Sequence, residues 1–325
     1  MLSPKENALK LLHHQMPDYI PKYGDGIINN VPINGYHERP QGGKDGVDWF
    51  GVKWNYAPGD VAPMPSEETV VLEDICDWRD VVKFPDLNNF DWEAAAKRDR
   101  IDTFDREHHL LSQMIHNGVF ERLTTLMGFE NALCALLTDP DECAEFFDAC
   151  ADFKCRLIDK IHQYYKPDVI CYHDDWGTQK GMLFSPEIWS ELIKPATKKI
   201  VDHTKSLGIV FEMHSCGMIK DIVPEFVEDV RPDVIQLMPI NDIPALKKIT
   251  GDKVVYDVFI DIQWIDALDS AGQLTEEKLR TKMREDFYAL AEGGCYYPSF
   301  MMVSPKWQSI VFEEFDAMRM DIYKK

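Results

Sequence analysis

The sequence predicts an α/β fold, a (β/α)8 TIM barrel carrying an irregular N-terminal extension. Three observations predict it. From about residue 120 onward, short β-branched runs alternate with amphipathic stretches across short loops, the pattern of a parallel sheet covered by helices. No GxGxxG follows any of these strands and no GxxxxGK[ST] occurs, so a doubly wound nucleotide-binding sheet lacks its usual signature. The 325-residue length suits a barrel, which as one unit commonly reaches about 250 residues or more. Residues 1–325 are therefore read as one barrel domain, with 1–100 an extension packed on it.

Within 1–100 the pattern is irregular and rich in Pro, Gly and aromatics, as in "NGYHERPQGGKDGVDWFGVKWNYAPGD". Turns and short strands are expected there, with Trp49, Phe50 and Trp54 packing on the larger body. "LEDICDWRDVVKFPD" reads as a short helix stopped before Pro85. "NALCALLTDPDECAEFFDACADFKCRLIDKIHQYYKP" is helical, with a break at Asp139 and a new start at Pro140. "DVICYHDD" is a buried-strand pattern ending in acids. In "SPEIWSELIKPATKKIVDHTKSLG", Ser185 is the N-cap, Pro186 the first helical residue and Gly208 the terminator, and Pro195 is expected to kink the helix. The alternation continues with strand "IVFEMHSCG", helix "MIKDIVPEFVEDV", strand "DVIQLMP" and helix "IPALKKITG". It closes with strand "KVVYDVFID", helix "TEEKLRTKMREDFYALAEG" and strand "GCYYPSF".

Charge narrows the functions available. Thirty-five Lys and Arg against 56 Asp and Glu give a net charge of −21, which opposes binding to nucleic acid or to an anionic membrane. No window approaches the length of a membrane span, and "MLSPKENALKLLHH" lacks the apolar core of a secretory signal. Eight scattered cysteines without a CxxC pair do not form a disulfide framework, and a cytoplasmic location is expected.

Barrel chemistry sits at the C-terminal ends of the strands, and several of these ends are polar: "YHDDWGTQ", "FEMHSCG", "YDVFID" and "GGCYYPS". Side chains alternate along a strand, so Glu212, His214 and Cys216 share one face. An HxC pair in a strand is commonly packing, since free cysteine is often buried; equally, imidazole and thiolate on one face suit zinc. Cys295 is the one cysteine at another late strand end, and in a closed barrel it is expected at the same mouth. A His/Cys/Cys set leaves a fourth position for substrate, water or a carboxylate. Glu212, Asp174 and Asp175 are the candidates for that ligand, or for a group that orients His214. Paired aspartates also suit acid–base work, while the plainer reading of one of them is a loop cap. Gly177 permits a tight turn, and Thr178 and Gln179 offer hydrogen bonds. Many apolar side chains crowd the strand ends, Met301 and Met302 among them. From the strand ends, Trp176, Gln179, Met238, Tyr256, Tyr296 and Phe300 are expected to contact a small methylated or aromatic substrate.

The chain resembles the uroporphyrinogen decarboxylase superfamily, in its cobalamin-dependent methyltransferase branch of methylcobamide:coenzyme M methyltransferases and O-demethylase methyltransferases. "GVFERLTTLMGFENAL", "DDWGTQKGMLFSPEIW", "EMHSCGMIKDIVPEFVEDVRPDVIQ" and "GGCYYPS" carry the likeness, over roughly residues 115 to 325. It implies zinc held by His214, Cys216 and Cys295. It also implies methyl transfer between a small-molecule donor or acceptor and cobalamin carried by a separate corrinoid protein, because no segment here resembles a cobalamin-binding module. The aromatic strand ends favour the O-demethylating direction with a methoxylated aromatic substrate; transfer from methylcobalamin to a thiol such as coenzyme M is the alternative. A decarboxylase-type lyase is less expected, since "PDYIPKYGDGIINNVPINGYHERP" lacks the Arg-rich segment that such enzymes use on their carboxylated substrate. A ligand-binding barrel without catalysis is the third reading.

Overall fold

In a computed structural model the chain is described at residues 2–22, 24–29, 38–40, 43–57, 62–66, 70–300, 303–320 and 322–323. Parts of the turn-rich stretch within 30–61, together with Met301 and Met302, lie outside the described residues.

Among the described residues there are ten strands, and seven of them make one parallel sheet. In chain order these are β1 (Ile27–Asn29), β2 (Gly46–Val47), β3 (Lys53–Asn55), β4 (Met64–Pro65), β5 (Leu110–Ile115), β6 (Val169–His173), β7 (Val210–Ser215), β8 (Val234–Leu237), β9 (Val255–Phe259) and β10 (Tyr296–Ser299). The large sheet runs β1-β5-β6-β7-β8-β9-β10, every neighbour parallel, and β2-β3-β4 form a small antiparallel sheet. Chain order therefore equals spatial order around the large sheet, as right-handed βα units require.

The sheet is strongly curled. Tyr297 on β10 donates from its hydroxyl to Glu212 Oε1 on β7 at 3.0 Å, although two strands lie between them. Three strand spacings in a flat sheet would separate them by about 14 Å, so the bond exists only because the sheet rolls up. Its edges also approach: Arg319 and Asp316, on the helix after β10, pair with Asp25 and Lys22, just ahead of β1. The expected eight-stranded barrel is thus met as seven strands with no β10–β1 pairing among the described residues.

Several helices follow the predicted starts and stops, whereas Val119–Met127, Ile262–Ser270 and Pro305–Arg319 add to the expected set and the helix after β7 begins at Val223 rather than Met218. Val119–Met127, Phe129–Thr138 and Pro140–Tyr165 are separate helices, the last opened by Pro140. Ser185 Oγ accepts from the Ile188 amide and caps the helix that follows. Regular α-helical bonding is interrupted ahead of Pro195. The turn Trp189–Ile193 widens to π-type hydrogen bonding just before the proline, which places the missing N–H where no bond is required. The segment 1–100 contributes more than a covering, because it supplies edge strand β1. Its Trp54 is buried, and Phe50 packs edge-on against Phe153 of the long helix. No helix among the described residues is long and apolar enough to cross a membrane.

Candidate metal centre

The site forms where β6 and β7 end. The pair is in register His173↔His214, and alternation turns both rings to the inside of the curl, where they stack with centroids 4.2 Å apart. Two residues further on, Asp175 and Cys216 repeat the same inward direction from the loops. Ligand atoms of His173, Asp175 and His214 all lie within 4.8 Å of one another. His214 Nε2 is 3.3 Å from Cys216 Sγ and 3.6 Å from Asp175 Oδ1, and His173 Nε2 is 4.0 Å from the same carboxylate oxygen.

Local backbone geometry builds this cluster. Asp175 Oδ1 accepts from the Cys216 amide at 2.6 Å, and the Thr178 carbonyl accepts from the Met218 amide at 2.8 Å, clasping the two loops together. The approach needs two glycines. A Cβ on Gly217, whose φ is +77°, would stand 2.2 Å from the Gly177 carbonyl carbon, and one on Gly177 would stand 2.7 Å from the Met218 nitrogen. Asn241 ties the second loop from beneath, accepting from the Ile219 amide and donating to the Gly217 carbonyl.

Both histidines have their outer nitrogens held. His173 Nδ1 lies 3.0 Å from Glu121 Oε2, and His214 Nδ1 lies 2.6 Å from Gln236 Oε1. Asp174 sets the first contact indirectly. It is fully buried and accepts from the Phe120 and Glu121 amides, capping the helix that carries Glu121. Gly118 makes room for it, since a Cβ there would meet the Asp174 side chain at 2.2 Å.

Electrostatics separates the two rings. Burial opposes a charge on His173, but Glu121 and Asp175 together outweigh it and raise the ring to about 9. Burial, reinforced by His173, lowers His214 to about 4. Burial alone would raise Asp175, yet His173 and His214 hold it below the ordinary carboxylate range. Burial first, then the Asp175 charge, pushes the Cys216 thiol up. Asp174 is raised to about 7 by burial and by Glu121.

These four side chains fit a divalent metal of the zinc type. Imidazole, carboxylate and thiol are its usual ligands, and the held outer nitrogens are the customary support of a metal-binding histidine.

They open onto a cavity of about 840 Å³ with mostly apolar walls that include Met114, Met238 and Phe259. Arg39 enters from the N-terminal segment. Its guanidinium lies over Trp54, one Nη donates to the Pro63 carbonyl at 3.0 Å, and its Nε is buried without a hydrogen-bond partner. Burial lowers its pKa, opposed by the charges of Glu121, Asp175 and Cys216. Arg39 is anchored through the adjoining Glu38, which pairs with Lys154 at 2.6 Å inside a fully buried group that also holds Arg122 and Asp48.

The sequence-predicted residues divide accordingly. His214, Cys216 and Asp175 come together. Cys295 does not join them: it precedes β10, and its carbonyl accepts from Tyr256 near the N-terminal start of β9. That is the opposite pole of the sheet, where burial raises its thiol pKa against the charge of Lys247. The site needs a residue past the C-terminal end of its strand, and Cys295 stands ahead of β10 (Tyr296–Ser299). Glu212 is one layer deeper, bonded to Tyr297, and Asp174 is a helix cap. Of the expected substrate contacts only Met238 lines the cavity. Trp176 packs between Trp189 and Phe226, Gln179 is exposed on its loop, and Tyr256 bonds to Thr250 on the outer face of β9. Tyr296 lines a separate cavity of about 340 Å³, and Phe300 packs on Phe312 and Phe315. Missed from the sequence were His173, Glu121, Gln236 and Arg39. The alternation that aligned Glu212, His214 and Cys216 also aligns Cys171, His173 and Asp175, so His173 was within reach of the same reasoning.

The fold and the site define an α/β protein with a buried cluster of potential metal ligands at the C-terminal ends of a curled parallel sheet. The family model for uroporphyrinogen decarboxylase (URO-D) matches residues 48–256, and the chain belongs to that family. A methyltransferase from Methanosarcina mazei is similar in structure, with a TM-score of 0.65 and 13% identity over 98% of this chain and 99% of that one. Old Yellow Enzyme from Pichia sp. AKU4542 is more distant, with a TM-score of 0.42 and 11% identity over 70% of this chain and 68% of that one. No curated protein matches the sequence.

Proposed function

We propose that the protein is a zinc-dependent methyltransferase that demethylates a small methoxylated aromatic, the methyl group passing to the corrinoid of a separate protein. The observation that carries this reading is the convergence of His173, Asp175, His214 and Cys216 at the mouth of an apolar cavity. The structural likeness to a protein described as a methyltransferase agrees with it.

His173, Asp175, His214 and Cys216 would hold the metal. Bound zinc would supply Lewis acidity to an ether oxygen as it departs. The chain does the rest. Glu121 and Gln236 keep the two rings aimed at the centre. Met114, Met238 and Phe259 exclude water from the substrate and give an aromatic ring its apolar surroundings. Arg39, with donors left over, pairs with an anionic substituent such as a ring carboxylate. The cavity volume accommodates one ring with substituents. Decarboxylation of an eight-carboxylate tetrapyrrole is disfavoured, because Arg39 is the only Lys or Arg among the cavity-lining residues described.

The test is a methyl-transfer assay with cob(I)alamin and a panel of methoxybenzoates and neutral methoxybenzenes, following the corrinoid spectrum. Methylcobalamin formation that requires zinc and prefers the acids is expected. Turnover unchanged in zinc-stripped protein would sink the proposal.

A further inference from the structure

We infer that Asp257 and Gln236 form a relay that fixes the tautomer of His214, leaving its Nε2 lone pair facing Asp175 and Cys216. The metal-binding consequence rests on the zinc reading above; the tautomer does not.

Three neighbouring strands place the relay at one level. The register runs His214↔Gln236 between β7 and β8 and Gln236↔Asp257 between β8 and β9. All three side chains are buried, at 4%, 3% and 0% exposure, with His214 and Gln236 bordering the cavity. Buried polar groups of this kind are hydrogen-bonded, and here the links are made within the protein.

The direction of each link follows from donor and acceptor types. A glutamine amide carries an acceptor on one side and donors on the other, and its neighbours decide which way it points. Asp257 Oδ2 accepts from Gln236 Nε2. That orients Gln236 Oε1, which only accepts, toward His214 Nδ1 at 2.6 Å. A contact this short needs a proton between the two atoms, and the amide oxygen has none to give. His214 therefore carries its hydrogen on Nδ1, and Nε2 is bare. Nε2 in turn faces Cys216 Sγ at 3.3 Å and Asp175 Oδ1 at 3.6 Å. Asp257 never reaches the site, yet through one amide it sets which nitrogen can act as a ligand. It is a positioning residue.

The reverse arrangement is chemically definite. A protonated Asp257 donating to a flipped amide would put an NH2 group against His214 Nδ1 and force the proton onto Nε2. Nitrogen-15 NMR of histidine-labelled, metal-free native protein, at a pH where the ring is neutral, separates the two. The His214 signals are assigned by their loss in His214→Gln. We expect a protonated Nδ1 and a pyridine-type Nε2; the opposite pattern overturns the inference. In a second arm, Co2+ affinity is measured by chelator competition. Gln236→Leu should bind about 10- to 100-fold more weakly, and Gln236→Glu, which keeps an acceptor toward Nδ1, should recover to within a few fold. Equal affinity of Gln236→Leu and native protein would also overturn it. If the native protein shows the expected tautomer but takes up no Co2+, the relay stands and the zinc reading falls.

Discussion

Cys216 and Cys295 show what a single residue's place along a strand decides. Both follow or precede a barrel strand, yet Cys216 follows β7 and reaches the cavity while Cys295 precedes β10 and sits at the other pole. We therefore predict opposite results for the two cysteines. Cys216→Ala should lower zinc affinity by several orders of magnitude, and so should His173→Ala. Cys295→Ala should leave the bound zinc unchanged, as read by metal content after dialysis. Loss of zinc from Cys295→Ala would contradict the placement. The HxC pair was legible because period-two alternation needs only the strand. Cys295 was misplaced because it stands at the start of β10 (Tyr296–Ser299), whereas a residue that reaches the cavity must follow the strand's C-terminal end. Arg39 and Gln236 were not legible, since each acts through neighbours distant in sequence.

At the scale of elements, the loop after β6 serves two partners with adjacent aspartates, one capping the Val119–Met127 helix and one facing the histidines. Gly118→Ala should displace Asp174 and uncap that helix, costing about 2–4 kcal/mol in denaturant unfolding. A cost under about 0.5 kcal/mol would mean that the backbone yields freely there. The pH behaviour follows from burial. Asp174 has a folded pKa raised to about 7 from the usual carboxylate value of 3.8. The native state thus holds a proton that the unfolded chain releases earlier. Its contribution to stability is full below the unfolded pKa and is lost as pH rises through about 7. Asp174→Asn, neutral at every pH, should gain on the native protein as pH rises from about 4 to about 7, measured by unfolding midpoints. A constant difference would refute the raised pKa. Most of the helix and strand order within 120–300 was readable, because alternation and caps are local, but the helix Ile262–Ser270 was not. Strand β1 was not, because its three residues lie in a turn-rich stretch and are defined only by their pairing with β5.

For the whole molecule, the N-terminal segment is fastened to the barrel by charge buried out of water. Glu38 and Asp48 meet Lys154 and Arg122 with every side chain fully enclosed. Removing one partner leaves an uncompensated buried charge, so Lys154→Met should cost about 3–5 kcal/mol, and Glu38→Gln added to it should restore part of that. The double variant as unstable as the sum would argue against direct coupling. A trace of this fastening is visible in "FFDACADFKCRLI", where Lys154 falls on the apolar face of its helix, a position that lysine occupies only with a partner. The seven-stranded curl shares its order with the barrel expected from sequence; what sequence could not supply was which strand ends meet across it. In the proposed function His173, Asp175, His214 and Cys216 hold the zinc. Zinc X-ray absorption on the loaded protein tests this ligand set most directly, because sulfur, at about 2.3 Å, is distinguishable from nitrogen and oxygen at about 2.0–2.2 Å. One sulfur with nitrogen and oxygen ligands is the predicted result. Two sulfurs, or protein that takes up no zinc, would contradict it.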